Sequence, residues 1–253
     1  MIDTTQSIES DTWRVRLYRD EDRPGLLELS AREFGEKESG RPEYFDWLKS
    51  DGPAGRPIIV VGEDKATGRV AGFVWALAYK IKVGDEYHRC YMGCHALVHP
   101  DFRRSALYGG LLKLQAMATA VDGVTLYGFP KELTIYRVRA AGFAHVARVP
   151  LLVRPLAMGA LVARRIPKLA RRIAMTLAWP IAAQTVYRPR WSNAWRWGLK
   201  AIEAETFDAS FDRFWERVAP KYNVTIARDR AFLLWRFRGA SFRSYTILTA
   251  RAG

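Results

Sequence analysis

Apolar and polar residues alternate through WRVRLY (13–18), the two-residue period of a strand with one covered face. Asp22 and Pro24 then mark a helix start, and Leu26, Leu27 and Phe34 fall on one side of the helix they open. RPEYFDWLKS (41–50) reads as a short helix ahead of a Gly/Pro loop. PIIVVGED, the turn ATG and RVAGFVWALAYKIKV predict a strand, a tight turn and a long strand. Gly84-Asp85 closes a second hairpin, and EYHRCYMGCHALV (86–98) returns beside it. ALYGGLLKLQAMATAV changes to a helical period, with Leu107, Leu111, Leu114 and Ala118 on one side. VTLYGF (124–129) predicts a short strand and Glu132 to Ala140 a short helix stopped by Gly142. FAHVARV and LLVRP follow as extended pieces. The order is strand, helix, three antiparallel strands, helix, strand, helix, strand, so the fold class is α/β on a mixed sheet.

Composition changes this picture in one place. With 49% hydrophobic residues in 253, a substantial core is within reach. The formal charge of +14 is unevenly spread: from Leu133 to Ile202 there is no Asp or Glu, and 13 Lys or Arg fall in that stretch. Within it, PLAMGALVARRIPKLARRIAMTLAW (155–179) places Arg164, Arg165, Lys168, Arg171 and Arg172 within about 120° on a helical wheel. Val162, Ile166, Leu169, Ile173 and Leu177 lie opposite, and Pro167 splits the helix or begins its second part. Three uses are open for such a segment: docking of its apolar stripe on the sheet, peripheral contact with an anionic membrane, or contact with another anionic partner. No recognised nucleic-acid motif supports the last.

The start of the chain, MIDTTQSIESD, has neither a basic nor an apolar region of the kind a secretory signal needs, and no run of 18 uncharged apolar residues occurs. Cys90 and Cys94 share a strand, about 13 Å apart at a strand's rise, too far for a disulfide. They have no partners at zinc-ligand spacing, so no metal is expected. Neutral thiols and a reducing compartment place the chain in the cytoplasm, with a peripheral membrane contact as the alternative.

The stretch with most chemical content is VHPDFRRSALYGGLL, a strand end, an arginine kink and a helix start. Helix-start amides carry no intrahelical partner and, with the helix dipole, suit a phosphate. This segment resembles the V-x-P-x-x-R acyl-coenzyme A segment of the GNAT superfamily of N-acetyltransferases. YGFP, the short helix and AGF resemble that family's next strand and helix, and the likeness covers roughly residues 13 to 156. The resemblance implies a GNAT-like mixed, mostly antiparallel sheet flanked by helices. It implies transfer of an acetyl group from acetyl-coenzyme A, as cosubstrate, directly to an amine in a ternary complex. Cofactor contacts would come from Leu97, Val98, Arg103, Arg104, Ser105, Ala106, Leu107 and Tyr108.

Two departures from the family pattern matter. Ala106 replaces the first glycine of R/Q-x-x-G-x-G/A, with Tyr108 at the second position, so binding turns on one dihedral. At negative φ the alanine is harmless; at positive φ it would strain the loop by about 1–2 kcal/mol. The family's thiolate-protonating tyrosine aligns with Val138, leaving Tyr136 as substitute, and its acidic base positions fall on Cys94 and His95. His95 and Tyr136 are therefore the catalytic candidates. The other reading is a non-catalytic relative whose basic helix binds an anionic surface.

Past Pro155 the composition divides the chain into an acyl-coenzyme A-binding domain (1–156), a basic helical connector (157–205) and a small C-terminal α+β piece (206–253). Aligning Trp47 with Trp235 brings Tyr44 onto Phe232 and IIVVG (58–62) onto TILTA (246–250), which suggests a partial second lobe.

Overall fold

In a computed structural model, residues 6–35, 37–120, 125–150 and 199–252 are described. Contacts divide the chain into one unit of Met1–His145 with Glu205–Thr246 and another of Val146–Ala204 with Ile247–Gly253. The predicted basic helix at 155–179 and the extended piece LLVRP lie outside the described residues.

The first unit carries the predicted mixed sheet. Its strands run in the order β1 (Ser7–Glu9), β2 (Trp13–Leu17), β3 (Ile58–Asp64), β4 (Val70–Val83), β5 (Glu86–Val98) and β6 (Leu126–Gly128). All neighbours pair antiparallel except β5 and β6, which are parallel. Gly84 makes the β4–β5 hairpin possible, because its φ of 59° suits a residue without Cβ.

Strand alternation sorts β4 onto two faces. Val74, Ala76 and Ala78 pack with Leu107, Leu111 and Leu114 of helix α3 (Leu107–Ala120). Phe73, Trp75, Leu77 and Tyr79 pack with α1 (Arg23–Phe34) and α2 (Pro42–Lys49) through Leu26, Leu29, Phe45 and Trp47. β4 is therefore apolar at nearly every position, as a strand covered on both faces must be. Short helix α4 (Ile135–Ala140) follows β6.

The C-terminal part of this unit adds α5 (Ala209–Val218), β8 (Val224–Ile226) and α6 (Arg230–Phe237). β8 pairs with Ile81–Val83 of β4, beyond the stretch that β3 pairs. Trp235 of α6 stacks on Trp47 of α2, the residue with which its sequence context aligns, at 5.1 Å between ring centroids. In the second unit, β7 (Leu199–Ala204) and β9 (Ile247–Ala252) form an antiparallel pair.

Two local expectations change. Asp22 does not cap α1 with its side chain: its carboxylate accepts from the Arg16 guanidinium at 2.7 and 2.7 Å and from the Arg19 amide at 2.8 Å. A buried carboxylate gains more from a bidentate guanidinium than from a single helix amide. FAHVARV (143–149) forms no strand, and Val146 and Val149 are 94% and 69% exposed. Its alternating pattern has no pairing partner among the described residues, and alternation alone does not make a strand.

Candidate functional site

The site begins with a break in the β4–β5 ladder. Phe73 pairs with Leu97 and Trp75 with Cys94, so His95 and Ala96 together oppose Val74. The extra residue is a bulge, and His95 carries it at φ 46°, the one positive-φ residue other than glycine among those described. On its other edge β5 is paired with β6 only from Tyr91 to Gly93, opposite Leu126 to Gly128. From Cys94 through the bulge to Val98 the backbone has no pairing strand on that side among the described residues, an edge to which an extended chain can add. Leu97 and Val98 lie on this stretch.

The His95 ring sits among Phe34, Tyr44, Phe73 and Trp75, at centroid distances of 5.5, 5.4, 5.5 and 6.5 Å. Burial among these rings disfavours the imidazolium and lowers its pKa to about 4. His95 is therefore a neutral imidazole at physiological pH, and a weak base. The same burial pushes the Cys94 thiol up to about 12, opposed by nearby Arg236.

The loop that follows the bulge enters α3 at Leu107. Arg103 turns back to the scaffold: its Nε donates to the Val98 carbonyl at 3.3 Å, and its Nη2 pairs with Glu33 of α1. Its role is to fasten the loop to α1. Ser105 Oγ donates to the Phe102 carbonyl at 2.8 Å and accepts from the Leu107 amide at 3.2 Å, taking one of the helix-start donors. The Gly110 amide closes the first turn on the Ala106 carbonyl at 3.1 Å. Among the described residues the Tyr108 and Gly109 amides of the first turn find no acceptor. Ala106 is not among the positive-φ residues, so its methyl group costs the loop no backbone strain, and Cβ-less Gly109 faces open space. Leu107 is fully buried and anchors the helix start in the core.

Arg104 is exposed and forms no ion pair among the described residues. A second guanidinium, absent from the sequence-based candidates, arrives from α4. Arg137 Nη1 donates to the Arg103 carbonyl at 3.3 Å, and Arg137 lies close enough to Tyr108 to oppose the upward push of burial on its phenol. Arg137 Nε also donates to the Tyr136 hydroxyl at 2.7 Å, which leaves the phenolic proton free to be donated elsewhere. Tyr136 itself is exposed. Only the fold could reveal Arg137, because α4 meets α3 through non-local packing; the lone sequence signal is its place beside Tyr136.

Tyr127 on β6 was also missed. It packs on the Trp75 face of the sheet, and burial raises its phenol pKa, with Cys90 nearby adding to the effect. Cys90 and Cys94 are both free thiols. Among the described residues no group of three or more His, Cys, Asp or Glu could hold a metal, and no helix is long and apolar enough to cross a membrane.

No family model matches the chain, and no curated protein is similar to it. Similar solved structures include an acetyltransferase from Trypanosoma brucei, at 17% identity and TM-score 0.44 over 56% of this chain and 99% of that one. Glucosamine-6-phosphate N-acetyltransferase from Arabidopsis thaliana is similar at 15% identity and TM-score 0.43, over 56% and 99% of the two chains. An aminoglycoside 6'-N-acetyltransferase from Acinetobacter baumannii is similar at 13% identity and TM-score 0.45, over 57% and 99%.

Proposed function

We propose that this chain is an acyl-coenzyme A-dependent N-acyltransferase of GNAT type, which moves an acetyl group to an amine by direct transfer. One observation carries the reading. An open strand edge beyond a bulge leads straight to an unstrained helix start whose free amides and two nearby guanidiniums suit a phosphate.

The residues fit the cosubstrate. The Tyr108 and Gly109 amides, with Arg104 and Arg137, would hold the phosphates, and the exposed edge at Leu97 and Val98 would hold the extended arm. Arg103, Ser105 and Leu107 keep the loop in shape, and Ala106 borders it without strain. When bound, acetyl-coenzyme A supplies the activated acyl group. The bulge at His95 turns a peptide out of the ladder, where its N–H can stabilise negative charge developing on a carbonyl oxygen. The neutral His95 imidazole is suited to accept a hydrogen bond from the acceptor amine and so orient its lone pair. Tyr136, its oxygen already accepting from Arg137, would return a proton to a thiolate.

Thermal melting with and without acetyl-coenzyme A tests the reading. Ligand at a hundred times its dissociation constant should stabilise the chain by about 2.7 kcal/mol. Absence of any shift at millimolar acetyl-coenzyme A and coenzyme A would sink it.

A further inference from the structure

The α1/α2 face of the sheet holds a second group of polar atoms that acyl transfer leaves unused. Arg236, on α6, places its guanidinium 5.1 Å from the Trp47 ring centroid, half-buried and without a carboxylate partner among the described residues. Beside it, the Trp235 indole N–H is buried and makes no hydrogen bond among the described residues, and the same holds for the Trp75 indole N–H. Tyr44 and Tyr79 line the same cluster through ring contacts to Trp47 and Trp235. Their phenols make no hydrogen bond among the described residues, and burial raises both, Tyr44 to about 12, so both stay neutral donors.

This arrangement is lopsided. Among the described residues it assembles a cation and several N–H and O–H groups and no free anion. Glu38, whose charge acts on Tyr44, is engaged by Arg243. Buried donors without acceptors are costly, and a donor-rich cluster is complementary to a ligand rich in oxygen acceptors. Tyr44 links the cluster to the bulge, because its ring meets both Trp47, at 5.9 Å, and His95, at 5.4 Å. Through Trp47 and Tyr44, a ligand held at Arg236 is therefore two aromatic rings away from the place where the reading above puts the reacting amine.

We propose that Arg236 binds a carboxylate on the acyl acceptor, so that the acceptor is an amine that itself carries a carboxylate, an amino acid or a derivative of one. This rests on the acyltransferase reading for the amine end and on the α6 cluster for the carboxylate end. A carboxylate suits the site better than a phosphate. One planar guanidinium over an aromatic ring matches a monoanion, and among the described residues no second cation is placed in this cluster to balance a dianion.

The test uses the full chain without cosubstrate. Tryptophan fluorescence, dominated locally by the Trp47–Trp235 stack, is titrated with the twenty amino acids and with their amides as matched uncharged probes. At least one acid should bind about tenfold or more tightly than its amide. Arg236→Gln should erase that preference, and Arg236→Lys, which keeps charge and loses the fork, should retain part of it. Both variants should keep the wild-type melting shift with acetyl-coenzyme A, which also shows that they are folded. Equal responses for every acid and amide pair, including no response at all, overturn the proposal, as does an intact preference in Arg236→Gln. An acid preference in a protein that shows no acetyl-coenzyme A shift upholds the carboxylate site and refutes the acyltransferase reading.

Discussion

Two backbone positions decide whether the loop and bulge work as described, and exchanging alanine and glycine at each should give opposite signs. Ala106 has no positive φ, so a side chain there restricts the unfolded chain without straining the folded one. Ala106→Gly should destabilise by about 0.4–1 kcal/mol through the entropy of the unfolded state. For a chain of this size that lowers the melting temperature by roughly 1–4 °C. His95 is the reverse case at φ 46°. His95→Ala and His95→Gly lose the same ring contacts, so their difference isolates the backbone. The left-handed strain of a residue with Cβ, about 1–2 kcal/mol, exceeds the entropy term that favours alanine. Glycine should therefore be the more stable of the two at position 95, by up to about 1 kcal/mol. Thermal melts of the four variants against wild type read both differences. Glycine more stable than alanine at 106, or alanine more stable than glycine at 95, would refute the backbone assignment and with it the account of why a loop lacking the family glycine still suits a phosphate.

Acid sensitivity should follow His95. Its folded pKa of about 4 lies below the ordinary 6.5, so the unfolded chain binds the proton more readily between these values. Its contribution is complete above pH 6.5 and is lost as pH falls towards 4, amounting to no more than about 3 kcal/mol. His95→Gln should flatten that limb of the stability–pH curve, and an unchanged limb would contradict the assignment. Asp22→Asn should cost about 1.5–3 kcal/mol in urea unfolding. It replaces one carboxylate of Arg16 by a neutral amide, while Glu63 at 2.9 Å still balances the guanidinium. Arg137→Ala should weaken acetyl-coenzyme A binding roughly tenfold in a melting-shift titration, with Arg137→Lys in between. Equal binding by all three would remove Arg137 from the phosphate site.

Much of the fold was legible locally. β4 and β5, their Gly84 turn, α1, α2 and α3 were each readable because a period of two or of 3.6 residues reports directly which side faces the core. Helix-start chemistry was readable too: Ser105 and the residues after it stand where α3 begins. Asp22 shows the limit of such reading. A carboxylate ahead of a helix fits a cap, but Arg16, the next-to-last residue of β2, competes for it and wins. FAHVARV shows another limit, since its alternation carries no information about whether a neighbouring strand is available.

The sequence alone determined the elements, the two-faced β4 and the question posed by Ala106, because those depend on residues within a few positions of one another. The tertiary structure decided the rest. The bulge at His95 exists because β5 must register with β4 on both sides of Val74, a requirement no single strand contains. Arg103 clamps Glu33 of α1, and Arg137 reaches the helix start from another element. Trp47 donates to the Trp235 carbonyl across 188 residues of chain, bringing Arg236 to the sheet face that carries His95. Such contacts are settled by how the whole set of apolar faces is buried together. The chemistry of the site was therefore written in the sequence as residue types, and became an arrangement only when the sheet closed around them.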